Sequence, residues 1–155
     1  MEIRPLELNE LKEALELTWN VFQEFEAPDY EEEGIREFRN FIALDSITDQ
    51  YNNKKIDIRG AFTNNKLVGI LATRNQNHIS LLFVKTEFHR QGIAKALFRD
   101  LVLRCRLENI SFITVNSSPY ATDVYHRFGF KDVNSEQLTN GIRYMPMEID
   151  LANSH

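Results

Sequence analysis

The sequence predicts an α/β fold organised on a mixed sheet. Three observations predict it. Short apolar, β-prone runs alternate with longer stretches whose apolar residues recur at helical spacing, in the order β-α-α-β-β-β-α-β-α-β-β. Two runs of alternating polarity, Ile56 to Thr63 and Leu67 to Thr73, flank Asn64-Asn65 as the arms of a hairpin flank its turn. Strand, turn, helix and strand then follow one another from His78 to Val115, a unit that closes as a right-handed parallel crossover.

Each element follows from its residues. Met1 to Leu6 sets Ile3 and Leu6 among polar residues, and Pro5 suits the end of an edge strand. Asn9 is a suitable N-cap for a helix from Leu11 to Phe25, with Leu11, Leu15, Trp19 and Phe22 along one side. Ala27-Pro28-Asp29 breaks that helix. A second helix is predicted over Tyr30 to Leu44, carrying Ile35, Phe38, Phe41 and Ile42. Glu31, Glu32 and Glu33 complement the dipole in its first turn, and Gly34 weakens its start. Asp49 to Lys55 reads as a polar loop before the hairpin.

His78 to Val84 is apolar and free of Pro and Gly, which suits a strand covered on both faces. Lys85 to Gln91 is polar. From Ile93 a helix is predicted with Ala94, Leu97, Phe98, Leu101, Val102 and Cys105 inward, ending at Glu108-Asn109. Ile110 to Val115 is a further short strand. Ser118-Pro119 is a cap followed by Pro at the first helical position, opening a short helix to about Arg127 with Gly129 as its C′ residue. Phe130 to Val133 and Ile142 to Ile149 close the chain as two strands joined by a polar loop.

A length of 155 residues predicts one domain, 1–155, large enough to bury a sizeable core. The net charge of −5 argues against nonspecific binding to nucleic acid or to an anionic membrane, and mildly favours a cationic ligand. No apolar run reaches transmembrane length, and the first residues lack a signal-peptide pattern. A single cysteine makes no internal disulfide, and Cys105 on the apolar stripe reads as a buried thiol rather than a nucleophile. His78, His89, His126 and His155 show no metal-ligand spacing, so no metal is expected. These features place the chain in a reducing cytoplasm.

The chemistry concentrates where the strand at His78 turns into the helix at Ile93. A helix start leaves backbone N–H groups without intrahelical partners and carries partial positive charge. Gly92 permits torsions and close approach that a side chain would block, Ala94 keeps the region open, and Arg90 and Lys95 add charge. A phosphate or pyrophosphate fits such a nest. The sequence has neither G-x-x-x-x-G-K-[ST] nor G-x-G-x-x-G, so it is neither a P-loop nor a dinucleotide fingerprint.

The run His89-Arg90-Gln91-Gly92-Ile93-Ala94 resembles the acetyl-CoA loop of the GNAT N-acetyltransferases, [Q/R]-x-x-G-x-[G/A], with His89 where Gln or Arg is usual. Tyr125-His126-Arg127-Phe128-Gly129-Phe130 is similar to the family's Y-x-x-x-G-F. The resemblance extends from about Met1 to Leu151. It implies the GNAT fold: a mixed central sheet of about seven strands, splayed between the fourth and fifth, with helices on both faces.

The resemblance also implies a site. The arm of acetyl-CoA is expected in the splay, paired with the backbone of Leu82, Phe83 and Val84, and its pyrophosphate on the loop of His89, Arg90, Gln91, Gly92, Ile93, Ala94 and Lys95. Asn116, at the end of the next strand, comes within reach of the arm or the acceptor. Tyr125 is expected to serve the leaving thiolate, and His78 to act as base. Glu24, Glu26, Asp29 and Tyr30 are expected to wall the acceptor pocket.

The implied activity is transfer of an acetyl group to a primary amine of a small molecule or peptide, by direct attack in a ternary complex. Homodimerisation is compatible with it. Two alternatives stand beside it: a noncatalytic acyl-CoA-binding or sensor module of the same fold, and a partner-binding domain without cofactor.

Overall fold

The computed structural model describes residues 1–152, so His155 lies outside the described residues. The strands are β1 (Glu2–Pro5), β2 (Asp57–Thr63), β3 (Lys66–Arg74), β4 (His78–Val84), β5 (Phe112–Ser117), β6 (Lys131–Asp132), β7 (Gln137–Thr139) and β8 (Ile142–Asp150). The helices are α1 (Leu11–Phe25), α2 (Glu32–Phe41), α3 (Leu44–Asn52), α4 (Ile93–Leu107) and α5 (Thr122–Phe128). The sheet runs β1-β2-β3-β4-β5-β8-β6, with β7 paired to β8. Strands β1 to β4 pair antiparallel, β4 and β5 are parallel, and β8 is antiparallel to β5, β6 and β7. The expected mixed sheet and its single parallel crossover are therefore present.

Two apolar layers cover the sheet. On one face Leu11, Leu15 and Phe22 of α1 and Ile47 of α3 meet Ile58, Ile70, Leu81 and Phe83. On the other, Ile93, Leu97, Leu101 and Cys105 of α4 and Tyr125 of α5 meet Val68, Leu71, Ile113, Val115 and Met147. Each fully buried Leu or Ile contributes about 1.5–3 kcal/mol, so these two layers dominate folding. Cys105 is the buried thiol expected of it: its Sγ donates to the Gln76 carbonyl at 3.8 Å, and burial raises its pKa. No helix among the described residues is long and apolar enough to cross a membrane.

Five sequence expectations are corrected. The helix expected over residues 30–44 is shorter and ends at Phe41, and the polar stretch expected as a loop from Asp49 belongs to α3. The spacing explains the break. Ile42 and Ile47 are both buried, yet five residues of continuous helix would set them about 140° apart. The chain leaves the helix at Ala43 (ψ 135°) and restarts, and both side chains reach one core. Asn9 does not cap α1; a 3-10 turn at Leu8–Glu10 precedes it, closed by the Glu10 carboxylate accepting from the Glu7 N–H at 2.8 Å. The polar loop before β8 contains β7, which pairs with β8. Strand β5 starts two residues later than expected, at Phe112.

Candidate active site

The parallel strands β4 and β5 pair at only two positions, His78↔Thr114 and Ile79↔Val115. The reason lies on the other edge of β4. There Ala72 faces Leu81 and Thr73 faces Ile79, so Ser80 has no counterpart on β3. An extra residue of this kind bends its strand and ends local pairing. From Ser80 onward β4 swings away from β5, which β8 holds along its length from Phe112↔Asp150 to Ser117↔Met145. The closed end of the wedge is tied by the Thr114 N–H donating to the Asn77 carbonyl at 2.9 Å, and Asn77 Nδ2 donating to the Phe112 carbonyl at 3.1 Å. Leu82, Phe83 and Val84 lie on the open stretch, where the edge of β4 facing β5 has no partner strand among the described residues. Backbone groups on such an edge call for a ligand or water.

The loop beyond Val84 leads into α4. Gly92 is the N-cap at φ +81°, and Arg90 also holds a left-handed φ of +65°. The Ala96 N–H donates to the Gly92 carbonyl at 3.0 Å; the amides of Ile93, Ala94 and Lys95 precede it in the first turn. Ile93 is buried and anchors the turn against Gly69 of β3, so it offers only its backbone outward. A Cβ on Gly92 would meet nothing within 4 Å, so the space over these amides is open. Arg90, Gln91 and Lys95 are exposed around it. His89 points elsewhere: its Nε2 bonds the Val84 carbonyl at 2.7 Å, fixing the loop to the end of β4.

The end of α1 spans the mouth of the wedge. The Phe25 ring lies 5.1 Å from His89, beyond β4, and 5.1 Å from Tyr120, beyond β5. Thr86 Oγ1 donates to Glu24 Oε2 at 3.0 Å, a second tie to the loop. Glu26 follows directly. It is half-buried as a residue, but its carboxyl is enclosed, and its pKa is pushed up to about 7. Desolvation is the main cause and the Asp29 charge adds to it, while Ser118 opposes both. No hydrogen bond of good geometry joins Glu26 and Ser118, and Ser118 Oγ is a buried oxygen without a partner.

Three tyrosines share this surrounding. Tyr125 is buried on α5 with its ring edge-on to Phe130 at 5.3 Å. Burial first, and then the Glu26 charge, raise its pKa well above the usual tyrosine range. Tyr30 packs edge-on to Phe22 at 5.2 Å and is raised by burial, Glu26 and Asp29. Tyr120 is raised by burial and by Glu26 and Glu24, against Arg90. Asn116 is exposed on β5 opposite Pro146. Helix α2 meets the β7–β8 turn closely: a Cβ on Gly34 would lie 2.2 Å from the Gly141 carbonyl oxygen.

His78 sits at the closed end of the wedge. Its Nδ1 is 2.8 Å from Thr114 Oγ1, and desolvation, with Arg74 nearby, lowers its pKa. The structure thus gathers Tyr125, Tyr30, Asp29 and Glu26 at the mouth with the Gly92 loop. It gives Glu24 and His89 to loop fixation, and sets His78 at the far end of the same strand. Sequence reasoning missed Phe25, Ser118 and Tyr120, and did not separate Glu26 from its acidic neighbours. No spacing signals them, because their environment is made by segments some 60 to 95 positions away along the chain.

A family model described as an acetyltransferase (GNAT) domain matches residues 26–151. A curated protein of Escherichia coli (strain K12), the uncharacterized N-acetyltransferase YafP, is 32% identical over 78 residues, 50% of this chain and 48% of that protein. The match thus spans about half the length of this relative. Among solved structures, a GCN5-related N-acetyltransferase from Rhodopseudomonas palustris superposes with a TM-score of 0.81 at 16% identity, over 97% of this chain and 95% of that one. The PaiA N-acetyltransferase of Thermoplasma acidophilum, in complex with coenzyme A, has a TM-score of 0.78 at 21% identity, over 96% and 98%.

Proposed function

Because the chain belongs to the GNAT acetyltransferase family, we propose that it moves an acetyl group from acetyl-CoA to a primary amine of a small molecule or peptide, by direct attack in a ternary complex. The observation that carries this reading is the bend at Ser80, which leaves the β5-facing edge of Leu82 to Val84 without a partner strand, its Val84 carbonyl held by His89, beside the open amides after Gly92. An extended arm with amide groups can pair with such an edge as an added strand does. A pyrophosphate suits the turn of Ile93, Ala94 and Lys95, with Arg90 and Lys95 supplying charge. Acetyl-CoA supplies the acyl group as a thioester.

The residues must then meet three needs. An alkylammonium of pKa near 10.4 is neutral about once in 2,500 at pH 7, a handicap of about 4.6 kcal/mol, so a proton acceptor is required. The N–H of Val84, on the edge of β4 turned away from β3, would steady the developing negative charge when aimed at the carbonyl oxygen, worth about 2.7–4 kcal/mol. Tyr125 serves the sulfur. Its raised pKa keeps it protonated and makes full transfer of its proton to a thiolate more uphill than for a free tyrosine. Tyr125 therefore acts chiefly as a hydrogen-bond donor to the leaving sulfur.

Thiol release with a panel of primary amines tests the reading, alongside thermal unfolding with and without CoA. The expected result is stabilisation by CoA, about 2.7 kcal/mol at 100 times its Kd, together with amine-dependent thiol release. Stabilisation without release under any amine would turn the assignment to a noncatalytic acyl-CoA-binding module. Absence of both would reject it.

A further inference from the structure

We propose that a second site lies beyond the closed end of the wedge and takes a small organic carboxylate on Arg104, Arg59 and Thr73. It goes beyond the acetyl-transfer reading and does not depend on it. The turn at Asn75 and Gln76 that carries β3 into β4, the ends of α3 and α4 and the start of β2 enclose a cavity of about 580 Å³ there. The sheet explains which side chains reach it. Asp57 pairs with Thr73 across β2 and β3, so both stand on one face, the face on which Leu71 meets α4. Arg59 follows Asp57 by two residues on the same face. Arg104 comes from the last turn of α4 and donates through Nη1 to Asp57 Oδ2 at 3.3 Å. Lys54 and Lys55 join the lining just past the end of α3.

The first ground is a pair of polar atoms in the lining. Arg104 Nε donates to Asp100 Oδ2 at 3.0 Å and Nη1 to Asp57, but Nη2 is buried and has no partner. Thr73 is 2% exposed, and its Oγ1 is likewise buried without a partner. A buried donor left unpaired is costly, and a charged one more so. One carboxylate answers both, with one oxygen accepting from Nη2 and the other from the Thr73 hydroxyl. The Arg104 side chain is 23% accessible, so the guanidinium that holds the enclosed Nη2 also faces the opening.

The second ground is charge. In a chain of net charge −5, this cavity is lined by four cations, Lys54, Lys55, Arg59 and Arg104, against Asp57 and Glu108. The same Asp57 oxygen serves both Arg59 Nε at 3.4 Å and Arg104, so one carboxylate is shared between two guanidinium groups. Lys54 and Lys55 are exposed and enter no ion pair among the described residues. They draw an anion to the opening. A planar carboxylate matches the guanidinium fork. The apolar part of the wall, from Tyr51, Ile56 and Ile110, suits the carbon body of an organic acid and offers a free phosphate nothing.

The test is calorimetric titration with acetate, succinate, citrate and inorganic phosphate at constant ionic strength, on the wild type, Arg104→Met and Thr73→Val. Each is measured free and saturated with CoA, which keeps the result separate from the acetyl-transfer reading. The wild type should bind at least one of the three carboxylates, with the same affinity whether or not CoA is present. Arg104→Met should weaken that binding roughly tenfold or more. Thr73→Val removes the unpaired hydroxyl, so without ligand it should melt no lower than the wild type, and it too should bind the carboxylate more weakly. It carries the test alone if Arg104→Met, which strips Asp57 and Asp100 of a partner, does not fold. A wild type that binds none of the three, Thr73→Val binding as tightly as the wild type, or binding lost once CoA is present overturns the site. Phosphate bound more tightly than every carboxylate overturns the ligand class.

Discussion

Gly92 holds a left-handed backbone with empty space where its side chain would be. Gly92→Ala therefore meets no clash, and its cost is torsional, about 1–2 kcal/mol for an L-residue in that region. The methyl would occupy the space over the first-turn amides. The expected outcome is a small loss in thermal stability and a large loss of the stabilisation given by CoA, read in one melting series. Tyr125→Phe keeps the ring packing against Phe130 and removes the donor; kcat should fall about 10²-fold with little change in KM for acetyl-CoA. Glu26 carries a stability signature as well. Its folded pKa of about 7 is raised, so the fold favours its neutral form: that contribution is full below about pH 4.5 and lost as pH rises through 7. Above pH 7, Glu26→Gln should be more stable than the wild type by roughly 2 kcal/mol in urea, and the gap should vanish in acid. Gly92 and Tyr125 were legible in the sequence because fixed spacing marks them. Glu26 was not separable from Glu24 and Asp29, since only the fold tells which carboxyl is enclosed.

At the scale of elements, the hinge of the site is one extra residue in β4. The apolar run His78 to Val84 announced the strand, but its unpaired Ser80 depends on the register with β3, which no local pattern encodes. The same holds for α3: its polar composition reads as loop, and it is a helix because Ile47 fills the core and the Tyr51 hydroxyl donates to the Leu6 carbonyl. Strand β7 is likewise made by its pairing with β8. The contact between α2 and the β7–β8 turn is tight enough to predict from. Gly34→Ala would drive a Cβ to 2.2 Å from the Gly141 carbonyl oxygen, and Gly141, at φ +78°, is itself constrained. The turn must move, at about 1–3 kcal/mol in chemical denaturation. On the proposed acetyl-transfer reading this contact lies on the acceptor side, so KM for the amine should rise while CoA stabilisation holds.

For the whole molecule, the two apolar layers hold the sheet from opposite faces and leave its middle split. One layer packs α1, α2 and α3 on β2, β3 and β4; the other packs α4 on the opposite face of the same strands and continues through α5 to β5 and β8. The wedge opens between β4 and β5, with Phe25 across its mouth. The architecture was legible because its strand–helix order admits few topologies and the crossover has one hand. The depth and lining of the wedge were not, because they arise from contacts between distant segments. The central claim is that the free edge of β4 and the first turn of α4 receive the coenzyme. Amide hydrogen exchange measured with and without CoA tests it most directly. The account predicts new protection at Leu82 to Val84 and at Ile93 to Lys95, with the closed end at Ile79 unchanged. Binding of CoA that leaves both segments exchanging as before would contradict it.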